Sequence, residues 1–471
     1  MCVTGPKVTN RTGMRTILLA AAAFLPSTAG VRAETLDSAL ARAYGGNPSL
    51  GAQRAAVRVT DENVPRALSG YRPQVVATAS GGINYLTGEN AIGAGALNGR
   101  FRGSLTPANV GLQVTQNLFN GFRTANSTRQ AESQVLGARE SLRNQEQTVL
   151  YSGAQVYMNV LRDTAILDLQ RNNVEVLEEQ LSQTRTRFQV GEVTRTDVTQ
   201  AESRLAAARS QVSAAESNLQ TSIATFRQIV GVEPRQLAQG SPIDRLVPKT
   251  LTNSVQIGLE EHPAIIAALH AVDAAELQVK ITEGELAPTL GLVGSVAQAY
   301  DTQVAKDNTL SAAITAQLSF PLYTGGEVYA RVRQAKETAG QRRIEAEATR
   351  DQVRAAVVSA WGSLEAAKAS VRASQAQVEA ANIALIGVRE ESRVGQRTTL
   401  DILNQQQELL NARVNLISAQ RDRVVASYSV IQSIGRLSAK TLGLNVDLYS
   451  AKLHYDQVRD LPWGLGTPDG R

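Results

Sequence analysis

Apolar residues recur every seven positions along a large part of this chain: Val135, Leu142, Val149 and Val156, then Val160, Leu167, Val174, Leu181 and Phe188. A heptad held this long predicts a very long helix packed as a coiled coil. The stripe steps by four residues between Val156 and Val160, a stutter that changes the supercoil locally. No proline lies between Pro107 and Pro234 or between Pro321 and Pro462, and within 122–190 the only glycines are Gly137 and Gly153. A helix over 122–190 would be roughly 104 Å long.

The second half repeats the first. Leu118-Phe119-Asn120-Gly121 returns as Leu322-Tyr323-Thr324-Gly325, Arg129-Gln130-Ala131 as Arg333-Gln334-Ala335, and Tyr157 as Trp361. Val190-Gly191 returns as Val394-Gly395, Asp197 as Asp401 and Gln228 as Gln432, every pair 204 residues apart. Pro48 and Pro263, and Pro73 and Pro288, are instead 215 apart, so the first half carries a longer loop between Pro73 and Leu118. Its glycine-rich part, 88–103, is read as a flexible surface loop; no helix start follows it, so it is a poor phosphate cradle.

Ahead of each long helix the period changes to two. Val110, Leu112, Val114 and Leu118 alternate with Asn109, Gly111, Gln113, Thr115 and Asn117. Leu310, Ala312, Ile314, Ala316, Leu318 and Phe320 alternate with Ser311, Thr315, Gln317 and Ser319, and 74–85 and 289–300 alternate less cleanly. Such runs suit a soluble hairpin with one buried face, or membrane β-strands, which need ~9–11 residues. If they span a bilayer, four strands cannot close a barrel, and open edges are not tolerated in lipid. An obligate oligomer would follow.

Composition then removes whole classes of function. One cysteine, Cys2, rules out a disulfide framework and a cysteine-based metal site. His262, His270 and His454 stand in no ligand spacing, and no G-x-S-x-G supports a serine nucleophile. Most of the +5 net charge comes from Lys7, Arg11, Arg15 and Arg32, in a stretch that holds no acid, so the body is close to neutral, unlike a nucleic-acid binder. Arg15 precedes nine apolar residues, 17–25, and small residues precede a cut after Ala33, the layout of a secretory signal peptide over 1–33. Met1 and Met14 are both candidate starts. No later stretch is apolar for the ~18 residues a membrane helix takes.

Over about 34–440 the chain resembles the TolC family of outer-membrane channels. The resemblance is carried by the duplicated halves, by the junctions Leu118-Phe119-Asn120-Gly121 and Phe320-Pro321-Leu322-Tyr323-Thr324-Gly325-Gly326, and by two matched turns. Those turns are Val190-Gly191-Glu192-Val193-Thr194-Arg195-Thr196-Asp197 and Val394-Gly395-Gln396-Arg397-Thr398-Thr399-Leu400-Asp401. The resemblance implies a mainly α fold with membrane β: four barrel strands and long coiled-coil helices per chain in two repeats. A homotrimer would form a 12-stranded β-barrel in the cell outer membrane and an α-helical tunnel through the periplasm. It further implies a passive exit duct for a tripartite efflux pump or a type I secretion system. Its partners would be a periplasmic adaptor protein, an inner-membrane transporter of RND or ABC type, and outer-membrane lipid, with no nucleic acid, enzyme activity, cofactor or metal.

By the same resemblance, Arg397 contacts Thr196 and Asp197 to hold the closed end, and Asp401 lines the narrowest ring. Two positions depart from the family archetype: Ser392 stands for a tyrosine, and Asn404 for a second ring aspartate. The gate is therefore expected to have fewer links and a single charge ring, which Asn404→Asp would double. Val190, Gly191, Val394 and Gly395 are expected to dock the adaptor. Without the resemblance, Arg397 and Asp197 read as helix-end charges and Asp401 as a cap over 398–402.

The expected organisation is a first repeat over 34–235, with strands about 74–85 and 108–119, a long helix about 121–190 and a return helix about 196–230. A linker over 236–261 leads to a second repeat over 262–440, with strands about 289–300 and 309–322, a long helix about 325–393 and a return helix about 398–437. A C-terminal tail, 441–471, has no assigned role. The loops 87–105 and 301–308 are expected to face the cell exterior. The competing reading is a secreted or surface structural coiled coil, which needs heptads but neither membrane strands nor matched turns.

Overall fold

The computed structural model describes residues 33–90, 99–302, 306–468 and 470. The expected signal falls outside these, apart from Ala33, as does the middle of the glycine-rich segment.

In chain order, three short helices come first: α1 (Leu36–Gly46), α2 (Pro48–Asp61) and α3 (Asn63–Leu68). Strands β1 (Gln74–Gly81), β2 (Asn84–Asn90), β3 (Gly99–Leu105) and β4 (Ala108–Asn120) follow, then helices α4 (Arg123–Gln189) and α5 (Arg195–Val230). The second half holds α6 (Leu251–Glu261), α7 (Pro263–Glu283), β5 (Thr289–Tyr300), β6 (Asn308–Ser319), α8 (Glu327–Arg393) and α9 (Thr399–Ser433). Two small helices, α10 (Ala439–Leu442) and α11 (Ala451–Val458), close the chain.

Helices α4 and α8 have 67 residues each, about 100 Å of helix. The heptad positions from Val135 to Leu167, together with Leu181, are buried, while Phe188 is exposed where the helix runs out of neighbours. On α8 the buried seam is built from small residues: Val332, Ala339, Ala346, Val353, Ala360, Ala367, Ser374 and Ala381, each seven after the last. Small seam residues let neighbouring helices approach closely. Each long helix packs on two partners in succession, α4 on α7 and α5, α8 on α7 and α9. The reversal of partners falls at an equatorial core that includes Leu40, Val57, Phe226, Ile265, Val357 and Tyr428.

Tyr157 ties that core to both ends of the first repeat. Its buried hydroxyl lies 2.6 Å from the Ala238 carbonyl oxygen and 2.7 Å from that of Glu34. The same two segments pair directly, the Glu34 N–H donating to Gln236 and the Ala238 N–H to Glu34. Burial, reinforced by Glu34, pushes the Tyr157 phenol up to about 12, so it remains a donor throughout the working pH range.

The strands form an antiparallel sheet in the order β1-β4-β5-β6. Its register shows which side chains lie together, because residues paired across strands share a face. Val75, Ala77 and Ala79 pair with Val114, Leu112 and Val110. Leu112 and Val114 pair in turn with Val296 and Gly294, and Gly294 with Ile314. The opposite face carries Thr78, Ser80, Asn109, Gln113, Thr115, Ser295, Ser311 and Thr315. One face of the sheet is thus mainly apolar, with Gln116 and Gln298 as exceptions, and the other mainly polar, with Val76, Val293 and Ala313 as exceptions.

A bulge between Asn117 and Phe119 changes the sequence reading of β4, for Phe119, not Leu118, pairs with Leu290 on the apolar face. Phe122 meets it edge-on at 5.3 Å between ring centres. At the other end Tyr300 shares this face. Ten residues of β5 separate Leu290 from Tyr300, about 34 Å along the strand and about 26 Å of membrane at a ~40° tilt. That matches the apolar band of an outer-membrane barrel between its aromatic girdles.

Several segments differ from the sequence reading. Part of 88–103, read as loop, is paired: β2 and β3 form a separate antiparallel hairpin beyond the sheet. Backbone ladder bonds need no side chain, so a glycine-rich composition does not prevent them. β6 ends at Ser319, short of 322, because Pro321 has no N–H to give the ladder. The linker 236–261 contains α6, which packs on α8, and the tail contains α10 and α11.

Two tests follow from the register and the core. Ile314→Arg, on the apolar face near mid-strand, should cost about 2–4 kcal/mol of insertion, whereas Thr315→Arg on the polar face should insert normally. Outer-membrane yield of folded protein compares them, and equal yields would mean the faces are misassigned. Tyr157→Phe leaves the half-buried Ala238 carbonyl without its donor, while that of Glu34 keeps the Ala238 N–H, a loss of about 1–3 kcal/mol; tryptic cleavage at Arg235 and Arg245 should accelerate accordingly.

Candidate gate and docking tips

The far ends of the two helical hairpins are built alike. In the first, the Gly191 N–H donates to the Phe188 carbonyl and the Glu192 N–H to that of Arg187; in the second, Gly395 bonds Ser392 and Gln396 bonds Glu391. These are Schellman closures, which require the left-handed backbone found at Gly191 (φ +80°) and Gly395 (φ +79°). A Cβ at either glycine would meet nothing within 4 Å. The constraint there is therefore backbone handedness and not space, and the tips stand clear of the rest of the chain. Val190 and Val394 beside them are exposed.

Each return helix starts with a reciprocal capping box. Asp197 accepts from the Thr194 N–H at 2.9 Å and hydroxyl at 2.7 Å, and Asp401 from the Thr398 N–H at 2.9 Å and hydroxyl at 2.8 Å. The Thr398 backbone donor, then its hydroxyl and then Arg397, hold the Asp401 carboxyl below the usual carboxylate range. One ion pair clips each turn: Arg187 to Glu192 at 2.9 Å and, with the charge order reversed, Glu391 to Arg397 at 2.8 Å.

Within this chain, then, Arg397 meets Glu391 and not Thr196 or Asp197, the partners that the resemblance implied. The reason is local: Glu391 lies on the last turn of its own helix, six residues back, within reach of a folded-over arginine. Asp197 is already committed to Thr194. Thr196 is exposed, its carbonyl accepting from the Thr199 hydroxyl. Ser392 is buried beside Ile402 and Gln406, and both amide atoms of Gln406 are buried without a hydrogen-bond partner. A serine at 392 leaves the Gln406 amide without the polar reach of a longer side chain.

Asn404 is not an empty ring position. Its side-chain oxygen accepts from Arg204 of α5 at 2.9 Å, joining the two return helices directly. Beside this bond Leu403 packs with Leu177, Leu181, Ala201, Leu205 and Ala208, so both hairpins share one apolar cluster near their tips. Arg204 escaped the sequence reading because its partner is 200 residues away and its repeat counterpart is Glu408.

Two expectations follow. Thr398→Val removes a cap and should destabilise the start of α9 by about 0.5–2 kcal/mol. In the native protein the Asp401 side of the cap is intact above about pH 4 and is lost as pH falls through the lowered folded value; hydrogen exchange of residues 399–402 against pH reads both. Asn404→Asp places its new carboxylate against Arg204, so it should add far less cation selectivity than a free ring charge. Arg204→Gln combined with Asn404→Asp should release the full effect, which reversal potentials measure.

The outer membrane efflux protein family model matches residues 39–232 and 255–436, both repeats. The chain is 42% identical to the outer membrane efflux protein BepC of Brucella suis biovar 1 over 460 residues, covering 96% of this chain and 98% of that one. It is 25% identical to the outer membrane protein TolC of Escherichia coli K12 over 429 residues, 87% of this chain and 84% of that one. Its fold superposes on the Campylobacter jejuni CmeC outer membrane channel with a TM-score of 0.75, at 16% identity over 90% of this chain and 89% of that one. Duplicated helical hairpins, a two-faced sheet and this full-length similarity have one meaning: the chain belongs to the outer membrane efflux protein family, the TolC-like channels of the outer membrane whose helical tunnel lies in the periplasm.

Proposed function

We propose that three copies of this chain form a passive exit duct across the outer membrane, fed by a periplasmic adaptor and an inner-membrane transporter. The observation that carries this reading is the sheet: one apolar face, one polar face, and edges at β1 and β6 with no further strand beside them among the described residues. An unpaired edge in hydrocarbon costs several kcal/mol per orphaned group. Joining β6 of one copy to β1 of the next removes every edge, and three four-stranded sheets make a twelve-stranded barrel with the polar face lining the lumen. The polar helices, joined to the Phe119 end of the strands, continue that lumen into the periplasm.

The tips are the movable part. Arg397, Asp401 and Asp197 lie on exposed turns, where water screens ion pairs and leaves them weak. Links this weak hold an end closed yet yield to an adaptor that binds the open state better. In the closed end Arg397 adds Thr196 and Asp197 of a neighbouring hairpin to its pair with Glu391, and opening requires it to release them. A ring of Asp401 carboxylates attracts cations, and the lowered carboxyl keeps it charged at mildly acid pH. The exposed Val190-Gly191 and Val394-Gly395 turns are the adaptor's landing points, and the duct performs no chemistry on its cargo.

Native mass analysis in detergent tests the assembly: a trimer is expected, and a stable folded monomer would overturn it. In planar bilayers Arg397→Ala should raise single-channel conductance and Asp401→Ala should weaken cation selectivity. Gly395→Trp should abolish export while trimer level and insertion stay normal. Unchanged conductance and reversal potential would leave these residues as helix-end charges and put the gate elsewhere.

A further inference from the structure

The C-terminal tail is held against the tunnel wall with more care than a trailing end needs. His454 of α11 is buried and its Nδ1 lies 3.1 Å from Oδ2 of Asp61, a carboxylate with no solvent exposure at the end of α2. Arg139 of α4 approaches the other Asp61 oxygen at 3.9 Å and lies over the Tyr455 ring at 5.1 Å. Tyr455 itself packs beside Val64, Ala131 and Val135. Beyond α11 the chain approaches the strands, where the Arg72 guanidinium donates to the carbonyls of Leu461 at 3.0 Å and Asp460 at 3.2 Å. The next residue but one after Arg72 begins β1.

This anchorage brings the tail to the helix end of β1, where a side chain of the apolar face reaches the residue before Arg72. Gln116 pairs with Leu292 on that face, and its side-chain amide donates to the Tyr71 carbonyl at 3.0 Å, immediately before Arg72. The lower aromatic rim, Phe119 with Phe122, belongs to the same end of the same face. What the tail presents there is Leu461-Pro462-Trp463-Gly464-Leu465-Gly466-Thr467, without a charge. Trp463 is 85% exposed and Leu465 fully so, in a chain with only two tryptophans. A tryptophan flanked by leucines and placed level with an aromatic girdle is the arrangement by which a polypeptide settles at the headgroup boundary of a bilayer.

We propose that residues 461–465 are a membrane-surface anchor: Trp463 and Leu465 insert into the periplasmic leaflet of the outer membrane beside the barrel, and the Asp61–His454 and Arg72 contacts aim them there. The occupant of this exposed patch is phospholipid, because the patch continues the lipid-facing rim of the sheet. Insertion of two side chains adds to the barrel's own anchorage and fixes the rotation and height of the tunnel wall below it. The inference rests on the membrane-facing reading of the sheet.

The test uses the full-length protein with Trp361→Phe, which leaves Trp463 as the single tryptophan. It is reconstituted into phosphatidylethanolamine–phosphatidylglycerol vesicles with or without bromines on the acyl chains near the glycerol. Vesicle flotation and channel conductance establish barrel insertion separately, so a failed barrel is distinguished from an undocked tail. Bromolipid should quench Trp463 by about twofold or more, as expected of an interfacial ring, and should shield it from aqueous iodide. In the reciprocal Trp463→Phe protein, Trp361 should show no bromine quenching. The exposed position makes Trp463→Phe harmless to folding. In an inserted channel, emission indifferent to bromine and open to iodide would place the tail in water. Emission closed to both would place Trp463 under protein, such as a neighbouring copy. Either result overturns the proposal.

Discussion

A strand edge in hydrocarbon has nowhere to send its N–H and C=O groups, and most of this molecule answers to that fact. The four strands of the main sheet do not close on themselves, and among the described residues the sheet ends at β1 and β6, the edges that the proposed assembly would pair. Membership of the membrane, copy number and lumen are thereby linked. The residues that pair across strands put mainly apolar side chains on one face and mainly polar ones on the other, so the proposed closure that removes the edges would also create a water-lined pore.

The helical part solves a different problem, which is length. A helix of about 100 Å cannot be held by one neighbour of half that length. Each long helix therefore packs on one short partner, α7, in its upper half and on its return helix in its lower half. The exchange of partners needs a firm joint, and the largest apolar cluster lies there, with the Tyr157 hydroxyl between two chain segments 204 residues apart. The lower tips have no such core. They are closed by glycine-dependent turns, single surface ion pairs and one small shared cluster. Packing is thus concentrated at the equator and thins toward the tips, the distribution that the proposed movable end requires.

The tip residues show how one geometry serves two purposes. Asp197 and Asp401 cap their own helices, and their bonds to Thr194 and Thr398 fix each carboxyl group in position. Arg204 brings the opposite charge to Asn404, which binds the two hairpins of a chain to one another at the level where the family archetype has a second aspartate.

Periodicity along the chain was enough to determine the duplicated plan, the long helices, the strand-to-helix junctions and the two glycine turns, because each depends on contacts within a few residues or on a repeat that the chain displays to itself. The capping role of Asp401 was legible for the same reason, whereas Asp197, read only as a helix-end charge, is shown to be a cap by its bonds to Thr194. Other features depended on which distant segments meet. The bulge that turns Phe119 and not Leu118 to the apolar face is set by the register against β5. The pairing of Arg204 with Asn404 and of Asp61 with His454 joins residues 200 and 393 positions apart. The folding of Arg397 onto Glu391 was local, yet ambiguous, because a long flexible side chain on an exposed turn has several carboxylates within reach. The sequence by itself determined the elements and their duplication, for those are local energetics; the tertiary structure decided register, cross-hairpin partners and the course of the tail, because loop closure lets any of many distant partners meet and only packing selects among them.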